Sequence, residues 1–138
     1  MTHQAPILIV DDDAGAAEAF EPMLRDLGFD VCVAADAAAG WTAIAGSMPA
    51  AIVLDLHLPI GDGVEFLRRL RSASNWTAIP VAIVTGDYLI DDRVTDEIEA
   101  LGARLYFKPL WQEDLAHIVG ALVKPDHAAR GEAPGDAF

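Results

Sequence analysis

The sequence predicts a doubly wound α/β domain built on a five-stranded parallel sheet. Short apolar runs recur along it, among them Ile7-Leu8-Ile9-Val10, Ala51-Ile52-Val53-Leu54 and Val81-Ala82-Ile83-Val84. Segments with helical character separate these runs, and that alternation marks βαβ units and a parallel sheet. A third observation concerns how the runs end. They run into Asp11-Asp12-Asp13, Asp55, Thr85-Gly86 and, after Leu105-Tyr106-Phe107, into Lys108-Pro109.

The first strand is expected near 6–10 and the first helix near 14–27. Asp13 precedes that helix and is suited to cap it through its carboxylate. Gly28 lies just past the helix, where a left-handed cap residue is favoured. Pro22 falls inside the helix and should kink it or mark a shifted boundary. The second strand, near 30–34, carries Cys32. A lone cysteine forms no internal disulfide, and this one reads as a buried apolar filler. Asp36 precedes a helix near 36–46 and can cap it. A strand near 50–54 leads to a helix near 63–73, where Val64, Leu67 and Leu70 recur at helical spacing beside Phe66. Arg68, Arg69 and Arg71 occupy its other positions. A strand near 80–84 precedes an acidic helix near 91–101 (Asp91, Asp92, Asp96, Glu97, Glu99), followed by Gly102. The last pair is a strand near 104–107 and a helix near 111–123 that Lys124-Pro125 closes.

This organisation assigns residues 1–124 to one domain and 125–138 to a disordered tail with little to bury. At 138 residues the chain is one domain's worth, and no internal repeat is visible. Hydrophobic residues make up 53% and charged residues 22%, ordinary for a globular fold. The net charge of −13 argues against direct nucleic-acid binding, which requires basic surface to neutralise phosphates. No signal peptide precedes the domain, and no apolar run is long enough to cross a bilayer, so a reducing cytoplasm is the expected location. His3, His117 and His127 have no metal-ligand spacing and are expected at the surface.

The carboxyl ends of the strands in an open parallel sheet face one crevice. Asp11, Asp12, Asp55, Thr85 and Lys108 would therefore converge, although they are spread over nearly the whole chain. Carboxylates gathered in one place repel and raise one another's pKa, so a cation must compensate. Lys108 supplies one charge. An all-oxygen donor set without cysteine or paired histidines favours a hard divalent ion, and Mg²⁺ fits best because it takes one or two carboxylates together with phosphate oxygens. A phosphoryl group there would meet a metal, an ammonium and a hydroxyl, the positioning and charge neutralisation on which phosphoryl transfer depends. Asp55, alone at the end of a fully apolar strand, is the expected phosphoryl acceptor.

Each feature has a plainer reading as a helix cap or turn, but all four in register are hard to explain that way. Together with Val53-Leu54-Asp55-Leu56-His57-Leu58-Pro59 and Gly61-Asp62-Gly63, they resemble the receiver domains of two-component response regulators over about residues 5–123. The resemblance implies strand order 2-1-3-4-5 and a chemotaxis-regulator-like fold. It implies phosphorylation of Asp55 by a sensor histidine kinase or phosphotransfer protein. It implies Mg²⁺ on Asp11, Asp12, Asp55 and the main-chain carbonyl of His57, with Asp12 the direct ligand and Asp11 acting through water. Thr85 matches the hydroxyl that moves to the phosphoryl group and Lys108 the lysine that pairs with it; the Lys108-Pro109 bond is a candidate for cis.

The resemblance also places a partner-binding surface on the fourth helix, fifth strand and fifth helix. One position departs from it. The aromatic residue expected three before the lysine is Leu105, and Tyr106 beside it should point to the opposite face. Trp111, near that surface, is expected to be partly buried against the fourth helix, with a place in the partner interface as the alternative. His57 and Asp87 stand two residues past Asp55 and Thr85, positions that the resemblance links to the lifetime of the phosphoryl group. Two other classes compete with this reading. One is a phosphatase of the haloacid dehalogenase type, which lacks here its later acidic motif and cap domain. The other is a binding module that uses the fold without being phosphorylated.

Overall fold

The computed structural model describes residues 5–58, 63–73 and 78–123. The expectations for Pro59, Gly61, Asp62, the Lys124-Pro125 stop, the 125–138 segment, His3 and His127 lie outside these residues. Strands β1 (Ile7–Val10), β2 (Val31–Ala34), β3 (Ala51–Asp55), β4 (Val81–Thr85) and β5 (Arg104–Phe107) alternate with five helices. These are α1 (Ala14–Asp26), α2 (Ala37–Gly46), α3 (Gly63–Ser72), α4 (Asp92–Ala100) and α5 (Gln112–Val123). All neighbouring strands pair in parallel, in the order β2-β1-β3-β4-β5, as expected.

Both faces of the sheet are covered, which is why its central strands read as unbroken apolar runs. On one face Ile7, Ile9, Val53 and Val84 pack with Leu24 of α1 and Leu115 and Val119 of α5. On the other, Leu8, Val10, Ile52, Leu54 and Ile83 pack with Ile44 of α2, Phe66, Leu67 and Leu70 of α3 and Ile98 of α4. Burying a side chain of this size stabilises by about 1.5–3 kcal/mol, so these two layers set the pairing of the strands. Cys32 is half-buried against the second layer rather than fully enclosed.

The helix ends follow their local sequence. Asp36 caps α2, its carboxylate accepting from the Ala39 amide at 2.8 Å. Asp91 does the same for α4 through the Arg93 amide at 2.8 Å. Gly28 and Gly102 adopt φ of 95° and 77° past α1 and α4. At each, the glycine amide bonds the carbonyl three residues back (Arg25, Glu99) and the following amide bonds the carbonyl one residue before that (Leu24, Ile98), which satisfies carbonyls in the last turn of both helices. Pro22 does not shift the boundary: α1 continues through it to Asp26. Two arginines of α3 hold α4: Arg68 pairs with Glu97, and Arg71 donates to the Leu101 and Ile79 carbonyls at 2.7 and 2.6 Å.

The two-residue reach of the sheet's register matters most for function. Val10 lies opposite Leu54, Asp55 opposite Val84, and Thr85 opposite Phe107. Asp11, which follows β1, therefore stands level with Asp55, while Thr85 lies one position further along the same edge and Lys108, which follows β5, two. The chain also reverses its direction of winding between β1 and β3, which opens a crevice there.

A pair of substitutions tests these backbone assignments. Gly102→Ala, at positive φ, should destabilise by about 1–2 kcal/mol. Gly120→Ala, inside α5 where an added methyl meets nothing within 4 Å, should stabilise by about 0.5–1 kcal/mol. Urea denaturation of the two variants should show midpoints displaced in opposite directions from that of the parent chain.

Candidate functional site

Each predicted side chain enters the crevice from a strand end. Asp11 follows β1 and Asp55 ends β3, and both are buried, whereas Asp12 is exposed at the rim. Thr85 ends β4 and is fully buried. Lys108 follows β5, and the Lys108–Pro109 peptide is cis, as the resemblance implied. The Lys108 amide donates to the Thr85 carbonyl at 2.7 Å, tying the ends of β4 and β5 together.

Lys108 Nζ lies 3.3 Å from Asp11 Oδ2 and 3.7 Å from Asp55 Oδ2. The other oxygens of the two carboxylates are held by main-chain amides: Asp11 Oδ1 by Asp13 at 2.9 Å, Asp55 Oδ1 by His57 at 3.2 Å. Thr85 Oγ1 accepts from the Asp87 amide at 3.0 Å, which leaves its own proton free to donate elsewhere. Asp13 turns away to the helix, its carboxylate accepting from the Gly15 amide at 3.0 Å. Its expected capping role is what the structure shows.

One oxygen each from Asp11, Asp12 and Asp55 lie within 4.8 Å of one another. Three anionic oxygen donors so close together fit a hard divalent cation, because one ammonium leaves negative charge in excess. The electrostatics agree. Burial pushes the Asp55 carboxyl above its ordinary value of 3.8, and the charge of Asp11 adds to the effect; the His57 amide and Lys108 oppose it without cancelling it.

Gly63 shows why the residue opening α3 is the smallest one. A Cβ there would stand 2.6 Å from the Asp55 carbonyl oxygen and 2.9 Å from Leu56 Cα. Its amide donates to the Leu56 carbonyl at 2.7 Å, so the glycine braces the strand end that presents Asp55.

With this geometry in place, comparison with known proteins is decisive. Residues 7–120 match the family model of the response regulator receiver domain. The chain belongs to that family. The response regulator Rre1 of Synechocystis is 32% identical over 138 residues, covering 99% of this chain and 57% of that protein. The transcriptional regulatory protein PrrA of Mycobacterium tuberculosis is 35% identical over 118 residues, covering 86% of this chain and 49% of PrrA. The chain thus spans about half the length of these curated relatives. The solved structure of the Vibrio cholerae chemotaxis protein CheY4 superimposes with a TM-score of 0.78 at 25% identity, covering 87% of this chain and 99% of that one.

Around the receiver's crevice the remaining expectations resolve. His57 Nε2 lies 3.4 Å from Asp87 Oδ2, with both side chains largely exposed, so the two residues singled out for the phosphoryl lifetime form one pair at the rim. Leu105 packs with the α3–α4 layer and Tyr106 with the α1–α5 layer, the opposite faces that alternation requires. Trp111 corrects an expectation: it is 67% exposed rather than packed on α4. It precedes α5, and its amide donates to Asp114 at 2.9 Å, which fixes the backbone and leaves the indole in solvent. One residue near the site escaped the sequence reading. Tyr88, three past Thr85, donates its hydroxyl to the Lys108 carbonyl and stacks on Phe107, with ring centroids 5.3 Å apart. Its only sequence signal was an aromatic residue in the loop after β4.

Because the native state holds the Asp55 proton more tightly than the unfolded chain, ionising Asp55 costs stability. That stabilisation is present below the ordinary carboxyl pKa and is lost as pH rises through the raised native value. In EDTA, Asp55→Asn should therefore melt at a higher temperature than the parent chain near neutral pH. The gap should close on acidification below the ordinary carboxyl range, and calorimetry across that range measures it.

Proposed function

We propose that this receiver accepts a phosphoryl group onto Asp55 from a phosphohistidine of a sensor histidine kinase or phosphotransfer protein. The reading rests on one observation above the others: a buried, protein-held carboxylate at the sheet edge faces a lysine at 3.7 Å, with a threonine hydroxyl ending the adjacent strand. An Asp55 oxygen attacks the phosphorus as the P–N bond breaks, and the departing imidazole keeps the electron pair. Lys108 balances charge on the equatorial oxygens, and the Thr85 hydroxyl donates to one of them once the acyl phosphate has formed. Asp11, Asp12 and Asp55, with the His57 carbonyl, would hold Mg²⁺, which supplies charge neutralisation to the transferring phosphoryl group. Water attack on the acyl phosphate, which His57 and Asp87 flank at the rim, returns the free carboxylate and inorganic phosphate.

The phosphorylated form then shifts an equilibrium of the α4–β5–α5 surface toward a state that a protein partner recognises. The abundance of acidic residues on α4 favours a basic partner. No helix among the described residues is long and apolar enough to cross a membrane, which accords with a cytoplasmic location. Membership of the receiver family sets the haloacid-dehalogenase reading aside.

Intact mass spectrometry after incubation with acetyl phosphate and Mg²⁺ tests the proposal. The expected result is a single phosphoryl adduct that EDTA blocks and Asp55→Ala abolishes. An adduct of equal yield on Asp55→Ala, or none on the folded, Mg²⁺-binding parent chain, would contradict it.

A further inference from the structure

The position expected to carry the state of the site to the surface holds an aliphatic side chain. Leu105 is half-buried in the α3–α4 layer and has no polar atom with which to follow Thr85. Tyr88 has both the reach and the partners for that task. It belongs to the loop after β4, whose backbone is tied to the Thr85 hydroxyl through the Asp87 amide, 3.0 Å from Oγ1. The Asp87 carboxylate in turn accepts from the Leu89 amide at 2.9 Å, so residues 87–89 form one bonded unit with Tyr88 at its centre. From there Tyr88 crosses to the end of β5. Its hydroxyl bonds the Lys108 carbonyl, and its ring stacks on Phe107 at an interplanar angle of 25°. The side chain is 62% exposed, so no packed core holds it in this position.

We propose that Tyr88 couples Asp55 phosphorylation to the β5 surface, leaving the Lys108 carbonyl and the face of Phe107 when the phosphoryl group forms. This rests on the phosphorylation of Asp55 proposed above. Both anchors of the Tyr88 loop belong to residues whose side chains the phosphoryl oxygens recruit: the Thr85 hydroxyl, and the main-chain carbonyl of Lys108. If the Thr85 hydroxyl turns to donate to the phosphoryl group, the Asp87 amide loses its acceptor or must follow it. Lys108, drawn toward the same oxygens, carries the carbonyl that Tyr88 holds. Two pulls at the two ends of a single exposed contact break it, whereas Leu105 stays in its layer. Release of Tyr88 uncovers the ring of Phe107, 41% exposed already, and leaves a phenol free at the rim for a partner.

The chain has two tyrosines, Tyr88 and Tyr106, so uniform 3-fluorotyrosine labelling yields two ¹⁹F resonances. Tyr88→Phe removes one and assigns both. Acetyl phosphate and Mg²⁺ are added to the labelled chain, and the adduct is verified by mass in the same sample. The expected result is a displaced Tyr88 resonance, with a shift several-fold larger than that of Tyr106, that reverts as the adduct hydrolyses. Tyr88→Phe should still form the adduct, because its hydroxyl touches no reacting atom. An adduct with an unmoved Tyr88 resonance would overturn this inference and leave the phosphorylation of Asp55 standing. The absence of an adduct in the parent chain would overturn both.

Discussion

The ammonium of Lys108 sits between two buried carboxylates, 3.3 Å from Asp11 and 3.7 Å from Asp55, and the rest of the site is arranged around that imbalance of charge. Two buried anions at adjacent strand ends with a third, Asp12, at the rim are mutually unfavourable. One lysine and two main-chain amides reduce the cost without removing it, and the Asp55 carboxyl is left with a raised proton affinity. Carboxylates so placed suit a divalent cation, and the proposed phosphoryl transfer onto Asp55 would draw on the same excess of charge. The charge that makes the crevice costly is what suits it to a hard cation.

The fold supplies the crevice by register. Because Val10, Leu54 and Ile83 lie in one buried layer, the residues just beyond them emerge at the same edge. Much of this was legible in sequence, since β1, β3 and β4 are short apolar runs that lead directly into Asp11, Asp55 and Thr85 of the candidate site. The caps at Asp13 and Asp36 were legible for the same local reason, because they bond amides two or three residues away, and Gly28 and Gly102 take backbone angles that other residues avoid. Asp91, counted in sequence among the acidic residues of α4, proves to be its cap.

What escaped was set by contacts between distant, exposed side chains. Tyr88 and Phe107 stack across 19 positions of sequence, and neither lies on an apolar face whose period would reveal it. Trp111 was assigned a packed environment on the strength of its size, but the turn entering α5 aims it outward. The His57–Asp87 contact joins residues from two loops that only the adjacency of β3 and β4 brings together. Pro22 is the converse case: a shifted helix boundary was one local expectation, and α1 instead runs past it to Asp26, with Leu24 buried against the sheet.

Burial and Asp11 hold the Asp55 carboxyl at elevated proton affinity, and a divalent cation is expected to relieve it. A ¹³C NMR titration of the Asp55 side-chain carboxyl, with and without Mg²⁺, measures this directly. The expected result is a midpoint above the ordinary 3.8 in metal-free protein and a downward displacement when Mg²⁺ is added. A midpoint at or below the ordinary value, unmoved by Mg²⁺, would contradict it.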